Sequence, residues 1–364
     1  MSIASYRTAV SLHGHTLHSR ESLDFLYRLA PRWRAIRFAM RRIEKQFREA
    51  QGRQLNFANA WWTPPLAPHD AWRLERDQIA GLGYQPLVSL TDHDDIDAPL
   101  NLQVLEECRG VPVSVEWTLP YQGTCLHLGV HNLPAESARA AMLRLADYTR
   151  NPAPEGPGAI LAVISATPGT LVVLNHPLWD ELGVGEEVHR HAAIDALRRF
   201  RRSFHAIEWN GLRPWSENRQ AAELAREFVM PVVSGGDRHG LEPNTVLNLT
   251  DASTFAEFAE EVRAGFSHVL ITDRYADAHA LRMLQTVGDV LRDHPGHGRG
   301  WVRWSDRIFY RCDHGEVRSL SELCGDRVPR FVRGLADTFR LAAHRPVRQA
   351  FRLAFARRQA VVQL

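Results

Sequence analysis

Short runs rich in Val, Ile and Leu alternate along the chain with longer segments whose apolar residues recur at helical spacing. That rhythm predicts an α/β protein with mainly parallel strands. The predicted strands are 8–12, 86–90, 111–115, 126–130, 170–174, 206–209 and 231–234. Helical patterns fall at 70–80, 99–108, 135–149, 188–202 and 217–228.

Three segments break the rhythm. Residues 22–68 form an insertion with a basic helical pattern (28–48), followed by Trp61, Trp62, Pro64 and Pro65. Residues 151–158 are a turn-rich loop without periodicity. Beyond Tyr275 a helix (278–293) precedes a meander of three strands, 301–304, 308–311 and 317–320. The end, 327–358, is arginine-rich, with Phe331, Leu335, Phe339, Phe351 and Phe355 near helical spacing and a break at Pro346. It reads as a helical appendage whose apolar side docks while its arginines stay solvated. An anionic partner or a membrane surface is the competing use. The expected organisation is a main domain, 1–275, with the insertion inside it, and an extension, 276–364.

Composition narrows the class without deciding it. The 364 residues are 45% hydrophobic and 24% charged, ordinary for a globular protein. A net charge of +2 gives no overall argument for nucleic acid. Lys45 is the only lysine, and the four cysteines (Cys108, Cys125, Cys312, Cys324) have no paired spacing. With no signal-like start and no apolar run of transmembrane length, a cytoplasmic location is expected.

The chemistry lies at the predicted strand ends. His13 and His15, separated by Gly14, end the first strand, where alternate side chains project together. The second strand leads to Asp92-His93-Asp94, the third to Glu116, and the fourth contains His127. The fifth leads to Asn175-His176-Pro177, the sixth to Glu208, and the seventh to Gly235-Gly236-Asp237-Arg238-His239. A lone His-x-His is more often a structural pair, but recurrence at successive strand ends makes that explanation poor. In a parallel barrel those ends share one face, where active sites are built. Several imidazoles with two carboxylates exceed the needs of one ion. Glu116 can bridge two ions, which can share a hydroxide and clamp both oxygens of a displacement. Such ligands suit Zn, Mn or Fe.

These runs resemble the polymerase and histidinol phosphatase (PHP) family of metal-dependent phosphoesterases. The matching stretches are His13-Gly14-His15-Thr16…Ser19, Leu90-Thr91-Asp92-His93-Asp94, Val115-Glu116…His127-Leu128-Gly129, Leu174-Asn175-His176-Pro177 and Ser234-Gly235-Gly236-Asp237-Arg238-His239. They occur in the family's order, over residues 8–272. The resemblance implies a distorted (β/α)7 barrel, to which this chain's own pattern adds a helical insertion after strand 1 and a C-terminal hairpin and helical extension. It implies two divalent ions, or three. His13, His15, Glu116 and Asp237 would hold one, and Glu116, His127 and His176 a second. A third would lie between His93 and His239, with Asp92 orienting a ligand.

One position departs from the family. An acidic residue or His usually follows the Ser of the first motif as a ligand of the third ion, and here Arg20 stands there. An arginine cannot bind a cation. Glu21, Asp24 or His18 is then the substitute, or Arg20 itself grips a substrate phosphate bidentately. Arg238 and Arg213 are further phosphate candidates.

The expected activity is hydrolysis of phosphate mono- or diesters by a metal-shared hydroxide attacking phosphorus. Arg20 or Arg238 would neutralise phosphoryl oxygens. His93 or His239 would protonate the leaving alcohol where no third ion claims them. A small phosphorylated substrate is the expected partner, and the sequence fixes no oligomeric state. Three rivals stand beside this reading. A binuclear amidohydrolase needs a bridging lysine that the strand ends lack. A non-catalytic metal-binding domain is favoured by Arg20 alone. A nuclease is not indicated, because the basic segments lack interleaved aromatic residues.

Overall fold

The computed structural model describes residues 6–23, 26–27, 34–153, 155–312, 315–325 and 331–342. Phe351, Phe355, Pro346 and the start of the basic helix lie outside the described residues. All seven predicted strands of the main body form, as β1 (Thr8–Ser11), β4 (Gln85–Val88), β5 (Val113–Tyr121), β6 (Thr124–Leu133), β7 (Leu171–Asn175), β8 (Ala206–Asn210) and β9 (Val232–Gly235). Six more accompany them: β2 (Glu21–Ser22), β3 (Ala60–Trp62), β10 (Val246–Thr250), β11 (His268–Ile271), β12 (Ile308–Arg311) and β13 (Val317–Ser319).

The strands build three sheets, ordered β11-β10-β1-β4, β5-β6-β7-β8-β9 and β13-β12-β3-β2. Among the described strands only β1–β4, β7–β8 and β8–β9 pair in parallel, so the expectation of mainly parallel strands is corrected. The cause is local. β5 and β6 are joined by Gln122 and Gly123, both at positive φ (47° and 77°), and such a two-residue turn can only fold a chain back antiparallel. β6 then pairs antiparallel with β7, and β10 with β1.

No continuous ladder closes the first two sheets into a barrel among the described residues. They meet instead at two single bridges, Gly14 with Arg238 and His93 with Glu116. Around them, Gly236 and Asp237 donate backbone N–H bonds to the carbonyls of Leu12 and His13 (2.8 and 2.6 Å). β7 is buried on both faces, which is why it reads as an unbroken apolar run. Val172 and Leu174 pack toward the helices Ala135–Arg150 and Glu186–Phe200, while Leu171 and Val173 face Val10, Leu12, Phe255 and Phe258.

The third sheet joins two of the three segments that broke the sequence rhythm. β2 and β3 come from residues 21–62, β12 and β13 from the region after Tyr275, and β3 pairs antiparallel with both β2 and β12. Met40 and Phe47 of the helix Arg34–Gln51 pack with Phe57, Trp304, Tyr310, Leu320 and Leu323 in one core. Residues 301–304, expected as a strand, do not form one. The buried Arg307 donates to the carbonyls of Trp301, Val302 and Arg303, and to those of Val290 and Arg292. Val302 and Arg303 also accept the His294 and Asp306 backbone N–H groups, so the segment's carbonyls are satisfied within a loop and not by a ladder. The predicted helix 99–108 is likewise split, into Asp97–Leu102 and a short turn Glu106–Cys108.

Candidate metal centre

The strand ends converge on Glu116, which lies within β5 and is wholly buried. Its Oε2 is 2.9 Å from His13 Nε2, 3.3 Å from His93 Nε2 and 3.4 Å from His15 Nε2. Its Oε1 is 3.1 Å from His176 Nε2 and 3.7 Å from His127 Nδ1, and it accepts from Asn175 Nδ2 at 2.9 Å. Asp237 Oδ1 completes the near side, 3.4 Å from His15 Nε2 and 3.6 Å from His13 Nε2.

Simple strand alternation does not explain why His13 and His15 lie together. β1 ends at Ser11, and His13 takes a left-handed conformation at φ 61°. Asp237 does the same on the adjoining segment at φ 55°, and His176 at φ 23°. Non-glycine residues held there carry strain of about 1–3 kcal/mol each, and such strain clusters at functional sites. The two segments run side by side through the Gly14–Arg238 bridge, which stacks His15 on His239 with centroids 4.1 Å apart. Gly235 and Gly236 are needed for close approach, not for a positive φ. A Cβ at Gly235 would overlap the Glu208 carboxylate, and one at Gly236 the Asn244 side chain.

Among the described residues, groups of donor atoms with metal-ligand spacing around this centre include His13–His15–Glu116, His93–Glu116–His127, His13–His176–Glu208 and His15–Glu21–His93–His239. Glu21 and Glu208 extend the set predicted from sequence. Glu21 begins β2, and its Oε1 and Oε2 lie 3.2 and 3.5 Å from His239 Nε2 and His93 Nε2. Arg20, the residue before it, is exposed, with its guanidinium 5.7 Å from the Trp61 ring. The inward position next to Ser19 thus belongs to the carboxylate one residue later.

Glu208 ends up behind His13. It meets Nδ1 at 2.5 Å and accepts from the His176 backbone N–H and Asn210 Nδ2 at 2.8 and 2.9 Å. Its place at the end of the sixth strand was the available clue. Glu181, 3.0 Å from His127 Nε2, follows no pattern in the sequence and was missed. Asp92 accepts from the Thr16 backbone N–H and hydroxyl (2.5 and 2.7 Å), so it orients the first motif.

Two expected phosphate-binding arginines are otherwise engaged or placed. Arg238 is buried and donates to Glu75, to the Gly240 carbonyl and to the His15 carbonyl (2.8, 3.2 and 3.1 Å). Arg213 is also buried and lies flat on Trp179, 3.8 Å from the ring centroid. The Trp179 backbone N–H bonds the His176 carbonyl at 2.9 Å, so Arg213 borders the site. Its Nε has no hydrogen-bond partner.

The electrostatics match a cation site. Burial would raise the carboxyl pKa values of Glu116, Asp237 and Glu21, but the surrounding imidazoles outweigh it and hold all three low. Burial would lower His13, yet Glu116, Glu208 and Asp237 raise it well above normal. Burial and His239 lower His15 to about 3, leaving its imidazole neutral. His15 Nε2 is a buried nitrogen without a hydrogen-bond partner, faced by two carboxylate oxygens. A neutral imidazole nitrogen aimed between carboxylates fits a divalent ion, which would supply the missing partner. Lys45, on the helix Arg34–Gln51, is exposed and 3.6 Å from Glu49, so it bridges nothing here.

No protein-family model and no curated protein matches this chain. Solved structures do. An amidohydrolase from Chromobacterium violaceum, with bound sulfate and no metal, is 16% identical over 58% of this chain and 95% of its own, with a TM-score of 0.37. A candidate metal-dependent phosphoesterase from Bifidobacterium adolescentis is 15% identical, covering 55% of this chain and 91% of its own, at 0.35. PsfC from Pseudomonas syringae is 16% identical over 74% of this chain and 93% of its own, at 0.37.

Proposed function

We propose that the chain is a metal-dependent hydrolase of phosphate esters, with its catalytic body in residues 6–275. The observation that carries this is Glu116, one buried carboxylate ringed by five imidazoles, with a partnerless His15 nitrogen beside it. We assign His13, His15, Glu116 and Asp237 to one ion and Glu116, His127 and His176 to a second. His93 and His239, grouped with His15 and Glu21, are assigned to a third ion and not to proton transfer. Bound there, divalent ions supply an activated water and neutralise phosphoryl charge.

The other tasks belong to side chains. Glu208 holds the His13 ring through Nδ1, and Ser19 holds His15 through Nδ1 at 3.1 Å. Asn175 fixes Glu116, and Asn210 fixes Asp237 at 3.3 Å. Such outer partners set ring orientation and ligand basicity. Trp62 of β3 lies 5.6 Å from His239 and screens that side of the site. Arg213, which borders the site against Trp179, is assigned to a phosphoryl oxygen.

Metal analysis combined with an aryl phosphate panel tests the reading. Metal-dependent turnover, abolished in His13→Ala, is expected. A protein without transition metal whose activity survives His13→Ala would overturn it.

A further inference from the structure

The accessory sheet carries a second feature beside the metal centre. Glu21 and Trp62 are register partners and face the site, while the next register pair, Ser22 with Trp61, turns the other way. On that outer face Trp61 stacks on Phe309 (5.9 Å), and Phe309 meets Trp301 edge-on (5.0 Å). Three exposed arginines border the row. Arg20 and Arg311 lie 5.7 and 5.9 Å from Trp61, and Arg299 lies 5.2 Å from Trp301.

We propose that this face binds single-stranded nucleic acid, with Trp61 and Trp301 stacking bases and Arg20, Arg299 and Arg311 meeting phosphates. Charge is what selects the occupant. Other arginines of the sheet are neutralised, Arg303 by Asp306 and Arg318 by Glu316. Arg20, Arg299 and Arg311 contact rings only, with no ion pair to a described carboxylate. Uncompensated guanidiniums alternating with partly exposed rings match a ligand that alternates phosphates with flat bases. The row ends at His297, stacked on Trp301. A strand bound along it spans from Trp301 to Arg20, whose neighbour is Glu21. The interleaving that the linear sequence lacks is created by pairing β3 with β12.

The test is fluorescence anisotropy of a labelled oligothymidylate with the full chain in EDTA, so binding is read without turnover. Its outcome is thus independent of the phosphoesterase proposal. Single strand should bind at least tenfold more tightly than duplex. Trp301→Ala should weaken binding about tenfold. The exposed triple variant Arg20→Gln/Arg299→Gln/Arg311→Gln should lower the log–log salt slope by about 2, roughly 0.7 per lost phosphate contact. Absence of saturable binding would overturn the proposal. So would triple-variant and Trp301→Ala proteins that bind like the parent, which would move any binding elsewhere on the chain.

Discussion

His13 is gripped from both sides: Glu208 meets its Nδ1 at 2.5 Å while Glu116 faces its Nε2 at 2.9 Å. The first contact orients the ring, and the second lies where the proposed cation would sit. Glu208→Gln keeps the shape but replaces an anionic acceptor with a neutral amide. Metal affinity at the His13 site should fall about 10- to 100-fold, as for other supporting partners of ligand histidines. Titration with a competing chelator checks this, and unchanged affinity would remove Glu208 from its supporting role.

Glu21 and Arg20 separate by metal count. Glu21→Gln should lose one bound ion relative to the parent, because the group with His15, His93 and His239 loses its only carboxylate. Arg20→Ala should leave the count unchanged, since its guanidinium faces Trp61. Elemental analysis after gel filtration distinguishes the two.

The pH dependence should change sign with metal. In metal-free protein, burial opposes protonation of His239, but Glu21 prevails and raises it from 6.5 to about 9. A raised histidine stabilises fully below its unfolded value and loses that contribution as pH rises through its folded value. Metal-free protein should therefore melt at lower temperature at pH 10 than at pH 6.5. The depressed carboxyls Glu116, Asp237 and Glu21 give the opposite limb, with stability lost as pH falls below about 4. Metal binding must displace the imidazole protons, so affinity should rise with pH and binding should release protons. Calorimetry in buffers of differing ionisation enthalpy reads that release.

Arg213 should act on substrate binding more than on folding. Arg213→Ala should raise KM for an aryl phosphate at least tenfold, and Arg213→Lys should recover it only in part, because a lysine lacks the flat fork that lies on Trp179. An unchanged KM would exclude it from phosphate binding.

Gly236→Ala tests the packing behind Asp237. Its new Cβ would overlap Asn244, whose Nδ2 is bonded to Ser11 Oγ and the Leu12 carbonyl. A loss of about 1–3 kcal/mol or more is expected from such overpacking, measured by chemical denaturation.

The sequence by itself determined the seven strands of the body and the residues at their ends. Both are local: β-rich apolar runs mark strands, and imidazoles and carboxylates at a run's end need no knowledge of the rest of the chain. Glu21 was legible only as one of several substitutes, because choosing it over Asp24 or His18 depends on which face β2 turns inward. Strand direction, the union of residues 21–62 with the region after Tyr275, and the partners Glu208 and Glu181 were decided by tertiary structure. Each of these depends on pairing between segments far apart in the chain. Hydrogen bonding and burial settle such pairings, and hydrophobic periodicity does not record them.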